Sequence, residues 1–255
     1  MKEELYQVEE MLNKWENANK KYSLETLSEY RKRTGKFMNE SLPGEEVFKT
    51  HSDLLHKVDE KGSFRPFPGD TTVFDVDDRV KNIATRMQDV LYESCGFILA
   101  ERLTRDTFHV TLHDLNNEKP YENLEHLMKQ SGKMAKDIIS YIAGEEACPA
   151  CVRAVSVFSM VNKSIVLGLE PADEYSCRRL MEMYERFQSV VYLDYPLTLH
   201  LTLAYYKPGE YTKEQRNILK ETFAELSKMC GWEFLLVDKN LLYQRFDDMN
   251  RYYTV

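Results

Sequence analysis

Phe108-His109-Val110-Thr111-Leu112 and Leu199-His200-Leu201-Thr202-Leu203 follow one pattern: a histidine two residues ahead of a threonine, with apolar residues between and around them. Six His and fourteen Thr in 255 residues give by chance about a third of one such His-x-Thr, so finding two in matched settings is informative. Both runs are strand-like, and alternate strand side chains share a face. His and Thr of each pair therefore point one way, about 7 Å apart along the strand, while Val110 and Leu112, or Leu201 and Leu203, point the other. The apolar set can bury against helices, which leaves each His-Thr pair on an open face.

Working outward, Thr71 to Val76 is a β-branched and aromatic run, followed by Asp77 as a helix cap and by Val80, Ile83, Ala84, Met87, Val90 and Leu91 on one helical face. After Gly96, the runs Phe97 to Leu103 and Phe108 to Leu115 read as a hairpin around the turn Thr104 to Thr107. A helix from about Tyr121 carries Leu124, Leu127, Met128, Ala135, Ile138, Ile139 and Ile142, and stops at Gly144. The second half repeats these kinds of element. Strands Arg153 to Met160 and Ser164 to Leu169 flank the turn Val161-Asn162-Lys163, and a helix bearing Leu180, Tyr184, Phe187 and Val191 follows. Then come the strand Thr198 to Tyr206, a helix opened by the capping pair Thr212 and Gln215, and strands Trp232 to Val237 and Leu241 to Phe246. Strands arriving as hairpins with helices between them predict an α+β fold with mixed or antiparallel sheets, and no Gly-rich loop supports a dinucleotide-binding alternative.

Residues 1–65 read as an N-terminal helical appendage and connection. Leu5, Val8, Leu12 and Trp15 recur at near-heptad spacing, Ser23 is placed to cap a second helix through Leu24, Leu27 and Tyr30, and the polar stretch Asn39 to Gly69 leads into the first strand. The helices are expected to pack on the main domain, with self-association through them as the alternative. Residues 66–255 form the main domain, in lobes of about 66–150 and 151–255.

Composition bounds the function. Thirty-four basic and 42 acidic residues give a net charge of -8, which disfavours wrapping by long nucleic acid but leaves room for a local basic pocket. No apolar run reaches the roughly 18–20 residues needed to span a bilayer, and MKEELYQVEE lacks a secretory apolar stretch, so a cytoplasmic location away from membranes is expected. Five scattered cysteines argue against a disulfide framework. Cys148-Pro-Ala-Cys151 has the spacing of a redox dithiol or half a zinc site, but it precedes a strand and no second cysteine pair accompanies it. A structural or incidental role is expected there, with no metal and no cofactor.

Cleaving a phosphodiester needs a base for the attacking oxygen and an acid for the departing one, on roughly opposite sides of phosphorus. Imidazole, with an unperturbed pKa of about 6.5, serves either task near neutrality, and a threonine hydroxyl can donate to a non-bridging oxygen. With these residues, His109-Val110-Thr111-Leu112 and His200-Leu201-Thr202-Leu203, the chain resembles the two-histidine phosphoesterase superfamily, which includes LigT-type RNA ligases and cyclic nucleotide phosphodiesterases. The stretch Pro66-Phe67-Pro68-Gly69-Asp70-Thr71 is similar to a segment ahead of the first strand in some bacterial members. The resemblance covers roughly Gly69 to Phe246. It implies a bilobal, pseudo-twofold fold with both motifs facing a central groove. It also implies a 2′,3′-cyclic phosphate or related 2′-linked substrate on a small nucleotide or RNA end, with hydrolysis favoured over 2′–5′ joining. His109 and His200 would be the acid–base pair, and Thr111 and Thr202 the phosphate donors. A nucleotide-binding module without turnover is the alternative. If both strands run without a bulge, parity adds His113 and Tyr206 to the groove as substrate contacts, whereas a bulge removes both. Arg105, Lys163 and Arg245 could supply local positive charge, although solvated turn or strand positions are the expected reading for them.

Overall fold

The computed structural model describes residues 24–39, 42, 47–117 and 121–255. The expected first helix around Leu5 to Trp15 and the Ser23 cap lie outside these residues, as does any self-association through them. The first described helix, α1 (Leu27–Asn39), is capped by Thr26: the Glu29 amide donates to Thr26 Oγ1 at 3.3 Å while the Thr26 amide donates to Glu29 Oε2 at 2.8 Å. Leu24, expected inside the helix, precedes it.

The chain continues through β1 (Phe48–Lys49), a 3₁₀ turn at Ser52–His56, β2 (Gly69–Asp75), α2 (Asp78–Cys95), β3 (His109–Asp114) and α3 (Leu124–Ala143). Next come the long pair β4 (Ala150–Met160) and β5 (Ser164–Pro171), α4 (Glu174–Gln188), β6 (His200–Tyr205) and β7 (Glu210–Tyr211). The chain closes with α5 (Lys213–Ser227), β8 (Glu233–Leu236), β9 (Leu241–Asp248) and β10 (Arg251–Thr254). The caps read from sequence are in place: Asp77 accepts from the Val80 amide at 2.8 Å, and Thr212 and Gln215 form a full capping box. Val191 lies beyond the end of α4, in a turn where its amide reaches the Phe187 carbonyl at 3.2 Å.

The fold is α+β, and every described strand pairing is antiparallel. Two four-stranded sheets run β10-β9-β2-β3 and β6-β5-β4-β8, with β1 and β7 forming a small ribbon. The sheets do not divide the chain at residue 150. β9 and β10 return to the first sheet, because β9 pairs along β2 from Gly69↔Phe246 to Phe74↔Leu241. Neighbouring strands are held close at Gly69, where a Cβ would meet the Asn116 carbonyl and the Phe246 ring, each at 2.5 Å.

The expected hairpin of 97–103 with 108–115 is not formed. Gly96–Ile98 make a 3₁₀ turn, and the next residues give their backbone to the end of β6: Ala100 N donates to the Tyr205 carbonyl at 3.0 Å, and Leu99 bridges Tyr206. The apolar run that suggested a strand instead fills the core from an irregular path, with Ile98, Leu99, Ala100 and Leu103 all buried. β3 finds its partner across α2, in β2. β3 and β6 thus each end one sheet, and these two edges approach each other.

Candidate functional site

Both motif histidines open their strands. His109 pairs across the first sheet with Asp75, and His200 pairs across the second with Gly168. Gly168 lets the neighbouring layer close in, since a Cβ there would lie 2.6 Å from the Phe158 ring and 2.8 Å from Met38. Tyr30 secures the entry to β6: its hydroxyl donates to the Leu169 carbonyl at 3.0 Å and accepts from the Leu199 amide at 2.9 Å.

In each strand the register then slips by one residue at the same motif position. Thr72 faces His113 and Val73 faces Thr111, which skips Leu112; Ile165 faces Ala204 and Val166 faces Thr202, which skips Leu203. The backbone groups at each bulge have partners outside the ladder. The Gln88 amide donates to the Leu203 carbonyl at 3.0 Å, and the hydroxyls of Thr71 and Thr72 donate to the His113 carbonyl at 3.1 and 3.2 Å.

The bulges decide which residues line the groove. His109, Thr111, His200 and Thr202 line one cavity of about 640 Å³, within the range of small-ligand sites. His113 and Tyr206 do not. His113 is 1% exposed and packs on the Tyr184 and Phe187 rings, its Nδ1 reaching the Asp114 carbonyl at 2.5 Å; Tyr206 is fully buried with its ring 4.9 Å from that of Phe48. The extra residue in each strand inverts parity beyond the motif, so Asp114 and Tyr205 face the cavity in their place. Of the three basic candidates, Lys163 reaches the cavity, paired with Asp53 at 2.8 Å. Arg105 pairs with Asp78 and Arg245 with Glu125, and neither lines it.

The histidine rings are fixed by matching bonds. His200 Nδ1 lies 2.8 Å from the Thr198 carbonyl, which can only accept; Nδ1 therefore carries a proton and Nε2 is left to exchange one. His109 is bonded in the same sense to the backbone of Thr107, again two residues earlier. The surrounding walls strip water from both rings and disfavour their charged forms, which lowers His109 to about 4 and moves His200 in the same direction. Proximity to His200 adds to the depression at His109.

The walls include residues that no sequence pattern marked. Tyr252 places its ring 4.9 Å from that of His109 and 5.1 Å from that of Phe246. Tyr195 donates its hydroxyl to Asp114 at 3.2 Å. Arg33 enters from α1, held by Glu25 at 2.6 Å, and Lys57 enters from the connection before β2. Cys148 and Cys151 are free thiols away from the cavity, and no group of three or more His, Cys, Asp or Glu side chains among the described residues is placed to hold a metal. No helix among them is long and apolar enough to cross a membrane.

This arrangement of elements has relatives of known structure. The fold is shared with ATU0111. That conserved protein of unknown function from Agrobacterium tumefaciens str. C58 superposes with a TM-score of 0.61 at 15% identity, over 82% of this chain and 93% of its own. Lower-scoring neighbours are TT0787 of Thermus thermophilus, with TM-score 0.44 and 14% identity over 73% of this chain and 94% of that one, and LigT of Escherichia coli in apo form, with TM-score 0.43 and 12% identity over 74% and 95%. No protein-family model and no curated protein matches the sequence.

Proposed function

We propose that this protein is a two-histidine phosphoesterase that hydrolyses a 2′,3′-cyclic phosphate, or a related 2′-linked phosphodiester, on a small nucleotide or RNA end. The observation that carries this reading is the common cavity of His109, Thr111, His200 and Thr202, supplied by the facing edge strands of two sheets. The catalytic unit is residues 66–255, with residues 1–65 as an appendage that contributes Arg33 and Lys57 to the cavity wall.

In the reaction, one imidazole takes a proton from water as the water oxygen attacks phosphorus. The bond from phosphorus to the 2′ or 3′ oxygen breaks on the opposite side, and the other histidine, protonated, gives its proton to that oxygen. The product is a phosphomonoester beside a free hydroxyl. The Thr111 and Thr202 hydroxyls donate to the non-bridging oxygens as negative charge builds on them. The roles of the two histidines exchange with the direction of reaction. A cavity of about 640 Å³ takes a mononucleotide or a chain end, in keeping with a net charge of -8 that discourages long nucleic acid.

The test is turnover of a panel of 2′,3′-cyclic nucleotides and 2′–5′-linked dinucleotides by the wild type, His109→Ala and His200→Ala, with chelator present. Loss in both variants, with folding unchanged, supports the reading. Turnover abolished by chelator, or activity retained in either variant, overturns it.

A further inference from the structure

Three cations among the described residues reach the cavity, and two are already neutralised. Arg33 bonds both nitrogens of its carboxylate-facing edge to Glu25, at 2.7 and 2.6 Å, and also holds Thr198 Oγ1 and the Leu197 carbonyl. Lys163 pairs with Asp53. Lys57 differs: among the described residues its ammonium has no carboxylate within ion-pair distance and no hydrogen-bond acceptor, and its contacts are two aromatic faces, Phe67 at 4.8 Å and Tyr205 at 5.7 Å. Rings hold a cation in position while leaving its hydrogen-bond donors unused. The backbone is fixed as well, since the Lys57 amide donates to Leu54 and its carbonyl accepts from Arg65, each at 2.9 Å.

Tyr205, beneath the ammonium, is the groove residue after the bulge in β6, and Asp114 is its counterpart in β3. Lys57 therefore stands where the two motif strands run on beyond their threonines. Its charge is close enough to oppose protonation of His200, and Asp114 attracts it from the other strand without an ion pair. Burial disfavours the Lys57 charge, and an ammonium whose donors meet no protein acceptor among the described residues, in a cavity lined by two imidazoles and two threonine hydroxyls, is placed to take an anion.

We propose that Lys57 is a third phosphate-binding group of this site, its ammonium donating to a non-bridging oxygen of the phosphoryl group held between the two His-Thr pairs. The inference rests on the phosphoesterase reading for the identity of that group. It assigns the connection before β2, which carries no motif, a direct part in holding substrate.

Inorganic phosphate is the first probe, titrated calorimetrically into the full chain as wild type, Lys57→Met, which keeps the stem between the rings, and Lys57→Arg, which keeps the charge. A charge-assisted bond of this kind predicts phosphate binding about 10- to 100-fold weaker in Lys57→Met and largely retained in Lys57→Arg. Should Lys57→Met fail to fold, Lys57→Gln is read in the same way. Phosphate bound within twofold of wild type by the Met or Gln variant overturns the proposal, as does a wild type that binds no phosphate. In an Asp114→Asn background the Lys57→Met loss should persist; its disappearance would mean that Lys57 serves only to offset Asp114, which also overturns it. Cyclic-nucleotide turnover separates the two claims: a wild type that binds phosphate through Lys57 but cleaves no cyclic phosphate leaves Lys57 assigned and removes the phosphoesterase reading.

Discussion

In β3 and in β6 the histidine opens the strand, its ring is tied to the backbone two residues earlier, and the ladder slips by one residue after the threonine. The surroundings do not repeat. Beside His109 stands Tyr252, with Phe246 against it, while the cavity near β5 and β6 is bordered by Arg33, Thr198, Lys163, Ser164 and Tyr205. Two copies of the His-Thr pair thus face each other across walls that differ, with the Tyr252 ring against His109 on one side and Arg33 and Lys163 on the other. The symmetric part suits proton transfer at both ends of a phosphodiester, and the asymmetric part suits a ligand with a flat base at one end and charge at the other.

The largest expected effect tests the symmetric part. His109→Ala and His200→Ala should each reduce kcat by about 10²–10⁴-fold, and the double variant should be little worse than either, because the two act on one transition state. Thr111→Val and Thr202→Val, which keep shape but remove a donor, should each cost up to about 10²–10³-fold in kcat with a smaller change in KM. Single-turnover rates on a cyclic nucleotide measure both. Strongly unequal losses between the members of either pair would break the equivalence of the two strands.

Next in size is the dependence on pH. Burial lowers His109 to about 4 and lowers His200 as well, so in the free protein both rings favour the neutral form near neutrality. Catalysis needs one neutral and one protonated. The kcat/KM profile should therefore peak below pH 6.5 and fall on the alkaline side by about tenfold per unit, as the required imidazolium is lost. A bound phosphate favours the charged rings, so kcat should keep its alkaline limb to higher pH than kcat/KM does. A kcat/KM profile that stays flat from pH 5 to 8 would show that the chemical step does not need the pair.

What the sequence could reveal is clear from these same residues. The period of two in Phe108-His109-Val110-Thr111 and Leu199-His200-Leu201-Thr202 placed four side chains on one face, and the structure brings all four into one cavity. It failed one residue later, at Leu112 and Leu203. A bulge there leaves no local mark, since a leucine suits the buried face equally well with or without it, and the partners that satisfy it, Gln88 on α2 and Thr71 and Thr72 on β2, come from elsewhere in the chain. His113 and Tyr206, expected in the groove only for strands without a bulge, therefore lie outside it, and Asp114 and Tyr205 face it instead. The one signal available was that both motifs carry leucine at the slipped position, so an error in one would be repeated in the other. Lys57 and Arg33 lie in segments read as connection and appendage, where no periodicity points to a cavity. The run from Phe97 to Leu103 reads as a strand because it is apolar, yet its burial is achieved without a ladder, against β6.

The asymmetric part predicts a smaller effect, confined to binding. Tyr252 lies tilted against His109 and Phe246, and under the proposed function its ring is the candidate platform for a base. Tyr252→Ala should raise KM for a cyclic nucleotide by about tenfold while kcat changes little. An equal loss on a cyclic phosphate lacking a base would mean that the ring positions His109 and leaves the nucleobase alone.

The smallest effect belongs to a feature found, among the described residues, only on the His200 side. β4 and β5 are joined through Val161, Asn162 and Lys163; the first two have φ angles of 51° and 53°, and the turn is closed by the Lys163 amide on the Met160 carbonyl at 3.0 Å. Asn162 is at home in that region; a β-branched valine is not, and it costs about 1–3 kcal/mol there. β2 and β3, joined through a helix, carry no such strain. Val161 is half exposed and lines the cavity mouth, so its cost is met where an apolar contact to ligand is available. Val161→Asn should stabilise the fold by about 1 kcal/mol, raising the melting temperature by roughly 2–4 °C, and should raise KM at the same time. Stabilisation with an unchanged KM would make the strain a local accident of the turn, and the two halves of the site would then differ in their walls alone.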